Sequence, residues 1–229
     1  MPVDSTVNVV VPVRDGARYL EEALRSIADQ TVPPLEVIVV DDGSRDDSAR
    51  IAERLGARVI RQDHAGQAAA RNRGVDESRG ELVAFLDADD IWPRERLERA
   101  TAALGSEPAV DLVFGHVHEF VSPDLSPAAA ARLRPAEAHH PARLPGTLLA
   151  RRSALERVGP FSTDWQVGEL MEWLLRAREA GLRESMLDEV VLLRRLHDSN
   201  TSRLRWAQRG DHARILKQAL DRARARQAD

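Results

Sequence analysis

Two hydrophobic patterns alternate along the first hundred residues, and this alternation constrains the fold more than any other feature of the sequence. Short runs that are almost entirely apolar and rich in β-branched residues lie at 7–13, 35–40 and 81–86, and a weaker run lies at 57–62. Such runs are typical of strands that are covered on both faces. The segments between them carry apolar residues at helical spacing. The sequence therefore predicts βαβ units and a mostly parallel sheet that is flanked by helices.

Helices are predicted after each of these runs. Apolar residues at i, i+3, i+4, i+7 and i+8, counted from Leu20, predict an amphipathic helix after the first strand. Ser44 and Asp47 have the spacing of a capping box, which predicts the start of a second helix. Residues 66–76 are predicted to form a third helix, and Pro93 is expected to begin a fourth.

Regular patterns are weaker after residue 105. Residues 111–120 and 189–196 predict strands. A helix that starts at Gly168 is predicted from one apolar stripe, which is formed by Leu170, Trp173, Leu174 and Ala177. Five of the 12 Pro residues fall between 121 and 146. We expect them to break any regular element and to leave a mobile surface loop or a lid over a site.

The C-terminal segment is basic, although the whole chain has a net charge of −4. Residues 203–226 hold seven Arg and Lys217 against Asp211 and Asp221. A segment of this charge is suited to contact an anionic surface or another protein. In a simpler interpretation it is a solvated helix that docks on the body of the protein through its apolar residues, which are Ile215, Leu216, Ala219, Leu220 and Ala223.

The composition excludes several classes of protein. The chain contains no Cys, which rules out disulfides and Cys-ligated zinc or iron–sulfur sites, and its single lysine leaves one candidate for lysine chemistry. No apolar run reaches the roughly 18 to 20 residues of a membrane-spanning helix, and the first residues lack the pattern of a signal peptide. We therefore expect a cytoplasmic protein, in which the basic tail is the element suited to lie against the inner face of a membrane.

Acidic residues follow two of the predicted strands. Asp41 and Asp42 come at the end of the second, and Asp87, Asp89 and Asp90 follow the fourth. Ligands of an open parallel sheet bind beyond the carboxyl ends of its strands, where these acids are expected to meet. Two clusters of carboxylates repel one another unless a cation joins them. Oxygen ligands in this arrangement suit Mg²⁺ or Mn²⁺.

Each acidic cluster also has a purely structural interpretation. Asp89 or Asp90 would cap the helix that is expected near Pro93. Asp42 and its neighbours have the composition of a turn. In the functional interpretation, Asp42 accepts hydrogen bonds from a nucleobase or a ribose. The spacing alone leaves these alternatives open.

Four motifs occur in order over residues 7–100: VNVVVPVRDGARYLEEALRSI, VIVVDDGSRDDS, HAGQAAARNRG and GELVAFLDADDIWPRERL. Together they resemble the successive signatures of inverting family 2 glycosyltransferases of the GT-A fold, and weaker similarity continues to about residue 203. The resemblance implies a GT-A fold, with a Rossmann-like, mostly parallel sheet flanked by helices. It also implies one catalytic domain at 1–202, with a nucleotide-sugar half at 1–105 and an acceptor half at 106–202, followed by a basic helical extension at 203–229.

The resemblance implies a donor site position by position. The segment after the first strand is similar to one that lies against the nucleotide, and Asp42 matches the acid that contacts the nucleobase. Arg71 is similar to the basic residue near the nucleotide and pyrophosphate. The implied nucleotide-sugar-binding residues are Pro12, Val13, Arg14, Asp41, Asp42, Arg71, Asp87 and Ala88.

A metal site is also implied by the resemblance. Asp87-Ala88-Asp89 resembles the DxD element, in which the final acid makes the more direct metal contact. His197 is similar to a histidine that lies near the metal or diphosphate in many members, although a lone surface histidine is the alternative. The implied cofactor is Mg²⁺ or Mn²⁺, held by Asp89, Asp87 and His197.

The acceptor side departs from the pattern of the family. Members usually carry Glu-Asp at the start of a late helix, and its acid removes the proton of the acceptor, whereas these positions here are Glu169 and Leu170. Leu170 falls on the apolar stripe, while Glu169, Glu172 and Arg176 share the opposite face. We therefore predict Glu169 as the general base, with Glu172 as the second candidate. In the alternative, Glu172 only pairs with Arg176 and Glu169 only suits a helix start.

The implied activity is metal-dependent transfer of a sugar from a nucleoside-diphosphate sugar to an acceptor, by single displacement with a carboxylate base. The acceptor would be a glycan, a lipid, a peptide or a small metabolite, and no nucleic acid is expected. The missing second acid at Leu170 keeps open a non-catalytic or regulatory protein that only binds a nucleotide-sugar. A receiver domain, a dinucleotide dehydrogenase and a sugar nucleotidyltransferase are disfavoured, because the chain lacks a lysine after a late strand and a glycine-rich loop after the first.

Overall fold

The computed structural model describes residues 6–165, 167–200 and 210–228. Strands and helices alternate through the first half of the chain, as the hydrophobic patterns predict. The strands are β1 Val7–Val13, β2 Glu36–Asp41, β3 Arg58–Arg61, β4 Leu82–Phe85, β5 Leu112–Val121, β6 His140–Ala142, β7 Leu149–Arg151 and β8 Glu184–Leu196. The helices are α1 Ala17–Ala28, α2 Ser48–Arg54, α3 Gln67–Glu77, α4 Arg96–Ser106, α5 Pro127–Ala130, α6 Arg152–Val158, α7 Glu169–Glu179 and α8 Gly210–Ala228, with a 3₁₀ turn at Pro145–Thr147.

In the described part of the chain, eight strands form one mixed sheet in the order β3-β2-β1-β4-β7-β5-β6, with β8 paired to β5. Strands β3, β2, β1 and β4 run parallel and are connected in chain order by α1, α2 and α3. Strand β7 is antiparallel to β4 and β5, and β6 is antiparallel to β5, whereas β8 is parallel to β5. The predicted α/β fold with a mostly parallel sheet is confirmed.

Side chains on the two faces of the sheet pack into two large hydrophobic clusters, and a smaller third cluster holds Ile38, Val40 and Ala70. Val9 of β1 lies in one cluster with residues of α1 and α4, and Val10 lies in the other with residues of α3, α6 and α7. The stripe predicted on α7 is confirmed, because its four apolar residues are buried. Since the central strands are covered on both faces, the groups available for chemistry lie at the strand ends.

The predicted start of α2 is wrong. The helix begins at Ser48 rather than Ser44, with Asp47 as its N-terminal flanking residue. The Ser48 N–H donates to the Asp46 carboxylate at 3.0 Å, and this bond replaces the expected capping box. The Ser44 hydroxyl instead accepts a hydrogen bond from the Asp15 N–H at 3.0 Å, which ties the loops after β1 and β2 together.

The predicted start of α4 is also wrong. The helix begins at Arg96 rather than Pro93, and Glu95 is the flanking residue. Neither Asp89 nor Asp90 caps this helix, because both carboxylates bind β8 or the residues after it. The capping interpretation of these acids is therefore excluded.

Residues 121–146 contain regular structure despite their prolines, so the expectation that these prolines break every element is wrong. Pro127 is the first residue of α5 and Pro145 is the first residue of the 3₁₀ turn, positions that tolerate proline. Pro141 lies in β6, at the edge of the sheet, where a strand also tolerates it. The Arg18 guanidinium donates to Asp124 at 2.8 Å, which anchors the beginning of this segment to α1.

Helix α8 packs against α7, and its predicted docking face is partly wrong. Ile215 is fully buried, but Leu216 and Leu220 are 48% and 59% exposed. The helix is turned so that polar groups reach α7, with the Arg222 guanidinium donating to Glu179 at 3.0 Å. Residue 203, where the basic tail was predicted to begin, lies outside the described residues. Within those residues, no helix combines the length and apolar character needed to cross a membrane.

Candidate functional site

The carboxyl ends of β1, β2 and β4 lie at one edge of the sheet. In the parallel register, Val13 of β1 pairs with Asp41 of β2, and β4 pairs with the opposite side of β1. The loops at 14–16, 42–47 and 86–95 therefore leave the sheet next to one another. This edge is where an open parallel sheet binds ligands.

Three residues of the predicted donor site, Pro12, Val13 and Ala88, connect these loops to one another. Pro12 and Val13 are buried, and the Val13 carbonyl accepts a hydrogen bond from the Asp42 N–H at 2.9 Å. A Cβ atom on Gly16 would lie 3.4 Å from the Cβ of Ala88, so the loop after β1 contacts the loop after β4. These residues hold the neighbouring acids in register.

Asp42 is held by the loop between β3 and α3. Its carboxylate accepts hydrogen bonds from the Ala65 N–H at 2.8 Å, the Gly66 N–H at 2.9 Å and the Gln62 side chain at 2.8 Å, and it lies 2.7 Å from Nδ1 of His64. Burial acts to raise the pKa of the Asp42 carboxyl, but these hydrogen bonds outweigh burial and hold the pKa below its ordinary value. Asp42 is therefore a carboxylate anion with four bonding partners already in place.

Asp41 and Arg14 contact the loops around Asp42. The Asp41 carboxylate accepts a hydrogen bond from the Ser44 N–H at 2.8 Å and so stabilises the turn after β2. Arg14 is exposed, and its guanidinium contacts Nε2 of His64. His64 thus joins an exposed cation to the buried carboxylate of Asp42.

Arg71 connects the two halves of the chain. Its side chain is 2% exposed, and it donates from Nη2 to Asp87 at 2.7 Å and from Nη1 to Glu169 at 2.6 Å. Burial acts to lower the pKa of Arg71, but the charges of Asp87 and Glu169 raise it above its ordinary value. Arg71 belongs to α3, Asp87 to the loop after β4 and Glu169 to the first turn of α7. One buried cation therefore holds three elements together.

Asp89 meets the residues that follow β8. Its Oδ2 atom lies 2.9 Å from Nε2 of His197 and 3.3 Å from Nδ2 of Asn200. The His197 side chain is 5% exposed, its Nδ1 lies 2.9 Å from the Ser199 hydroxyl, and its ring centroid lies 4.8 Å from that of Tyr19. The interpretation of His197 as a lone surface histidine is therefore wrong.

Asp90 is buried beneath this pair. Its carboxylate accepts a hydrogen bond from the Arg195 N–H at 2.9 Å, and the Arg195 Nε donates to the Asp89 carbonyl at 3.0 Å. Burial raises the pKa of the Asp90 carboxyl well above its ordinary value, and the charges of Asp89 and Asp87 raise it further. The Arg195 guanidinium also lies 4.7 Å from the centre of the Tyr19 ring. These contacts fix the loop that carries Asp89.

Glu172 lies on the same helix as Glu169 but in a different environment. Its side chain is 7% exposed, and the Arg176 guanidinium donates to its carboxylate at 2.9 to 3.1 Å. The Arg222 guanidinium lies 3.8 Å away. Leu170 is 5% exposed and belongs to the hydrophobic cluster beneath the helix. Of the two candidate bases, Glu169 alone is joined to the acids at the sheet edge.

Asp89 and His197 provide donors for a divalent cation. Within the described ranges, no cluster of three or more His, Asp or Glu side chains is arranged as a metal site. The Asp89 oxygen and the His197 nitrogen are 2.9 Å apart, and neighbouring ligands of a six-coordinate ion at about 2.1 Å are about 3 Å apart. Ions of this kind usually bind one or two protein side chains together with substrate phosphates. Asp87 is instead bound by Arg71 and Gln67. The Asp89 and His197 side chains therefore have the spacing of two ligands of one ion, and the two printed bonds of Asp87 use only its Oδ1 atom.

Several residues that contact the predicted acids are not singled out by the sequence. His64 lies in the third motif, and Arg195 and Asn200 flank the predicted His197. Nothing in the local pattern shows that these three bind acids of other loops.

Two cavities lie away from the candidate site. One of about 350 Å³ is lined by residues that include Arg96 and Asp188, and one of about 740 Å³ by residues that include Glu22 and Trp92. Neither is lined by Asp42, Arg71 or the other candidate residues. The candidate site is identified instead by the charged side chains that converge at the sheet edge.

The fold of the described residues is the GT-A fold. The chain is similar to S. aureus TarS 1-349 in complex with UDP-GlcNAc, with a TM-score of 0.70 over 86% of this chain and 60% of that chain, at 22% identity. It is also similar to glucosyl-3-phosphoglycerate synthase from Mycobacterium tuberculosis, solved with Mn²⁺, UDP and glucosyl-3-phosphoglycerate. That match has a TM-score of 0.60 over 86% of this chain and 73% of the synthase, at 23% identity.

Sequence comparison then gives the family. A family model described as glycosyl transferase family 2 matches residues 8–159. Glycosyltransferase AglE of Haloferax volcanii is 32% identical in an alignment of 200 residues that covers 81% of this chain and 65% of AglE. The putative glycosyltransferase EpsH of Bacillus subtilis is 37% identical in an alignment of 112 residues that covers 47% of this chain and 32% of EpsH. The chain belongs to glycosyl transferase family 2, and it spans only part of the length of these relatives.

Proposed function

We propose that this chain is a metal-dependent, inverting glycosyltransferase that moves a sugar from a nucleoside-diphosphate sugar to an acceptor, with Glu169 as general base. The observation that carries this proposal is the bridge through Arg71, which binds Asp87 at 2.7 Å and Glu169 at 2.6 Å. The bridge brings a carboxylate from the predicted acceptor half to the acids of the predicted donor half. Such a convergence of charged groups from distant segments is what a reacting centre requires.

Asp42 and its neighbours are proposed to hold the nucleoside. Its two carboxylate oxygens already have four bonding partners, which is about their full capacity. A nucleobase N–H would therefore replace one of them, and the His64 side chain, which is 50% exposed, is the partner most free to move. The S. aureus relative was solved with UDP-GlcNAc, which supports a uridine diphosphate sugar as the first donor to test.

Asp89 and His197 are proposed to hold Mg²⁺ or Mn²⁺. The M. tuberculosis relative was solved with Mn²⁺, which supports this assignment. When bound, the ion would stabilise the negative charge that develops on the departing nucleoside diphosphate. Asn200 and Arg195 orient the Asp89 loop through its carboxylate and its carbonyl.

Glu169 is proposed to accept the proton of the acceptor. Its side chain is 14% exposed, and within the described residues only one of its two oxygens is engaged, by Arg71. As the acceptor oxygen forms a bond to C1 of the sugar, its proton passes to Glu169, and the C1–O bond breaks with its electrons leaving on the diphosphate. A positioned base of this kind typically contributes about 10² to 10⁴ in rate. A single displacement inverts the configuration at C1.

The predicted division of the chain fits this proposal. Residues 1–105 would bind the donor, because they supply Asp42, Asp87 and Asp89, and residues 106–202 would present the acceptor beside Glu169. The acceptor would be a glycan, a lipid, a peptide or a small metabolite.

A protein that binds a nucleotide-sugar without transferring it is the second candidate. The burial of Leu170 favours it, because this position carries an acid in most members that the sequence resembles. Release of UDP from UDP-GlcNAc, with water or an added acceptor, would identify an enzyme. Binding without any turnover would identify the second candidate.

A thermal-shift panel of UDP, GDP, ADP and TDP, each with and without Mn²⁺, tests the proposal. A ligand that binds only the folded state stabilises it by about 2.7 kcal/mol at one hundred times its Kd. We expect at least one nucleoside diphosphate to raise the Tm, and to raise it further with Mn²⁺. A panel in which none changes the Tm would contradict both candidates.

A further inference from the structure

Helix α8 lies directly against the residue that precedes the proposed base. Gly168 has a φ of 88° and forms the N-terminal boundary of α7. A Cβ atom on this residue would lie 3.0 Å from Cδ1 of Ile215 and 3.0 Å from Cδ2 of His212. Such contacts are shorter than the usual 3.5 to 4.0 Å or so between carbon atoms. The backbone at the start of α7 therefore touches α8 with no intervening space.

Charged and aromatic contacts extend this attachment. The Arg222 guanidinium donates to Glu179 at 3.0 Å, and it lies 3.8 Å from Glu172. The Arg214 guanidinium lies 5.3 Å from the centre of the Trp165 ring, just before α7. Helix α8 therefore contacts Trp165 and Gly168 just before α7, and Glu172 and Glu179 within it.

The opposite side of the same backbone carries the proposed chemistry. Glu169 follows Gly168 directly, and its carboxylate lies 2.6 Å from the Arg71 guanidinium. Because Arg71 is buried and also binds Asp87, it is not free to follow a displaced Glu169. A shift of the backbone at Gly168 would therefore change the position of the Glu169 carboxylate relative to Asp87.

The orientation of α8 indicates that this contact is specific. The helix buries Ile215 against Gly168, while Leu216 and Leu220 remain 48% and 59% exposed. A helix selected only to bury apolar area would turn these two leucines inward. Instead its buried face is the one that meets the start of α7.

We propose that α8 positions the general base, with Ile215 supporting the backbone of Gly168 and thereby the carboxylate of Glu169. Ile215 is thus a positioning residue that acts through Glu169. This inference rests on the proposed function, since it takes Glu169 as the base.

The test compares Ile215→Ala with Leu216→Ala, a matched control on the exposed face of the same helix. Release of UDP from UDP-GlcNAc in the presence of Mn²⁺ is measured for both. A misplacement of about 1 Å can cost about 10²-fold in rate. We expect kcat to fall by roughly 10- to 100-fold in Ile215→Ala on this basis, with little change in the KM for UDP-GlcNAc. Leu216→Ala should match the wild type. Unchanged kcat in Ile215→Ala would overturn the proposal.

A double variant separates positioning from general damage. If Ile215 acts through Glu169, Ile215→Ala should cause no further loss in a Glu169→Gln background, because residues that act as a unit are non-additive. An equal loss in both backgrounds would assign Ile215 a merely structural role. Ile215→Val, which keeps most of the contact, should restore most of the kcat. If Ile215→Ala does not fold, the hydrogen-exchange comparison is made on Ile215→Val.

Hydrogen exchange provides a readout that needs no turnover. We expect faster exchange of the amides at 171–174 in Ile215→Ala, a smaller increase in Ile215→Val and no change in Leu216→Ala, because the start of α7 loses support in proportion to the contact removed. Unchanged exchange would overturn the proposal even if the protein is an active transferase. Undiminished transfer by Glu169→Gln would instead refute the assignment of the base, whatever the exchange shows.

Discussion

The two acidic sites at the sheet edge are built in different ways. Asp42 is fixed by residues 62–66, one loop that follows the neighbouring parallel strand. Asp87 and Asp89 are fixed by side chains from α3 and from the residues after β8, and Arg71 of α3 also binds Glu169 of α7. The first site is therefore complete within residues 1–105, whereas the second also needs residues after 105. Under the proposed function, the first site would serve donor binding and the second would serve turnover.

The largest expected effect is at Asp89. Asp89→Ala removes the carboxylate that we propose as the main metal ligand, and transfer should fall by about 10³-fold, the upper end for loss of one group that stabilises transition-state charge. The fold should survive, because Asp89 is partly exposed. The effect is measured as initial rates after chelator treatment and addition of Mn²⁺. Undiminished turnover of Asp89→Ala after this treatment would exclude Asp89 as a required metal ligand.

Glu169→Gln should have the next largest effect. Transfer should fall by at least about 10²-fold, while binding of UDP-GlcNAc survives, because the amide cannot accept the proton of the acceptor. The exposed Glu156→Gln, on a neighbouring helix, serves as control. Equal loss of binding and turnover would count against Glu169 as the base.

Glu172→Gln tests the second candidate base against Glu169. Its carboxylate is a buried partner of Arg176, so removing its charge should lower the free energy of unfolding by about 3 to 5 kcal/mol. Its effect on the kcat of the folded enzyme should be smaller than that of Glu169→Gln. Urea unfolding and steady-state kinetics test both statements, and the reverse order of kcat values would make Glu172 the base.

The smallest effect on turnover is expected at Asp42. Asp42→Asn should raise the KM for the donor by about 10- to 100-fold, the equivalent of losing one hydrogen bond to a charged group, with a smaller change in kcat. The wild-type carboxyl has a lowered pKa in the folded state, so it contributes stability above its ordinary pKa and loses it as the pH falls through the lowered value. A fall in kcat without a change in KM would place Asp42 in the chemical step instead.

The contrast between the two sites also explains what the sequence could predict. Short-range hydrophobic patterns predict the parallel strands and the apolar stripe on α7, and the structure confirms both. The acids are placed at the sheet edge because they directly follow two of these strands. The bridge from Arg71 to Glu169 joins residues 98 positions apart. No local pattern contains this contact, although the family resemblance marked both residues separately.

Two of the incorrect predictions have the same physical cause. The sequence predicts a helix from Pro93, with Asp90 as one of its candidate caps. Asp90 instead binds the Arg195 N–H, 105 positions away, and the helix begins at Arg96. Likewise, the docking face of α8 depends on charged residues of α7, which the apolar pattern of α8 does not contain.

The binding of UDP by calorimetry, with and without Mn²⁺, tests the central claim most directly in the wild type and in His197→Ala. If a cation held by Asp89 and His197 joins the protein to the diphosphate, Mn²⁺ should raise the affinity for UDP by at least about tenfold, a usual size for coupling between two ligands. His197→Ala should lose most of this gain and keep the affinity measured without Mn²⁺. Equal affinity of the wild type for UDP with and without Mn²⁺ would contradict the account.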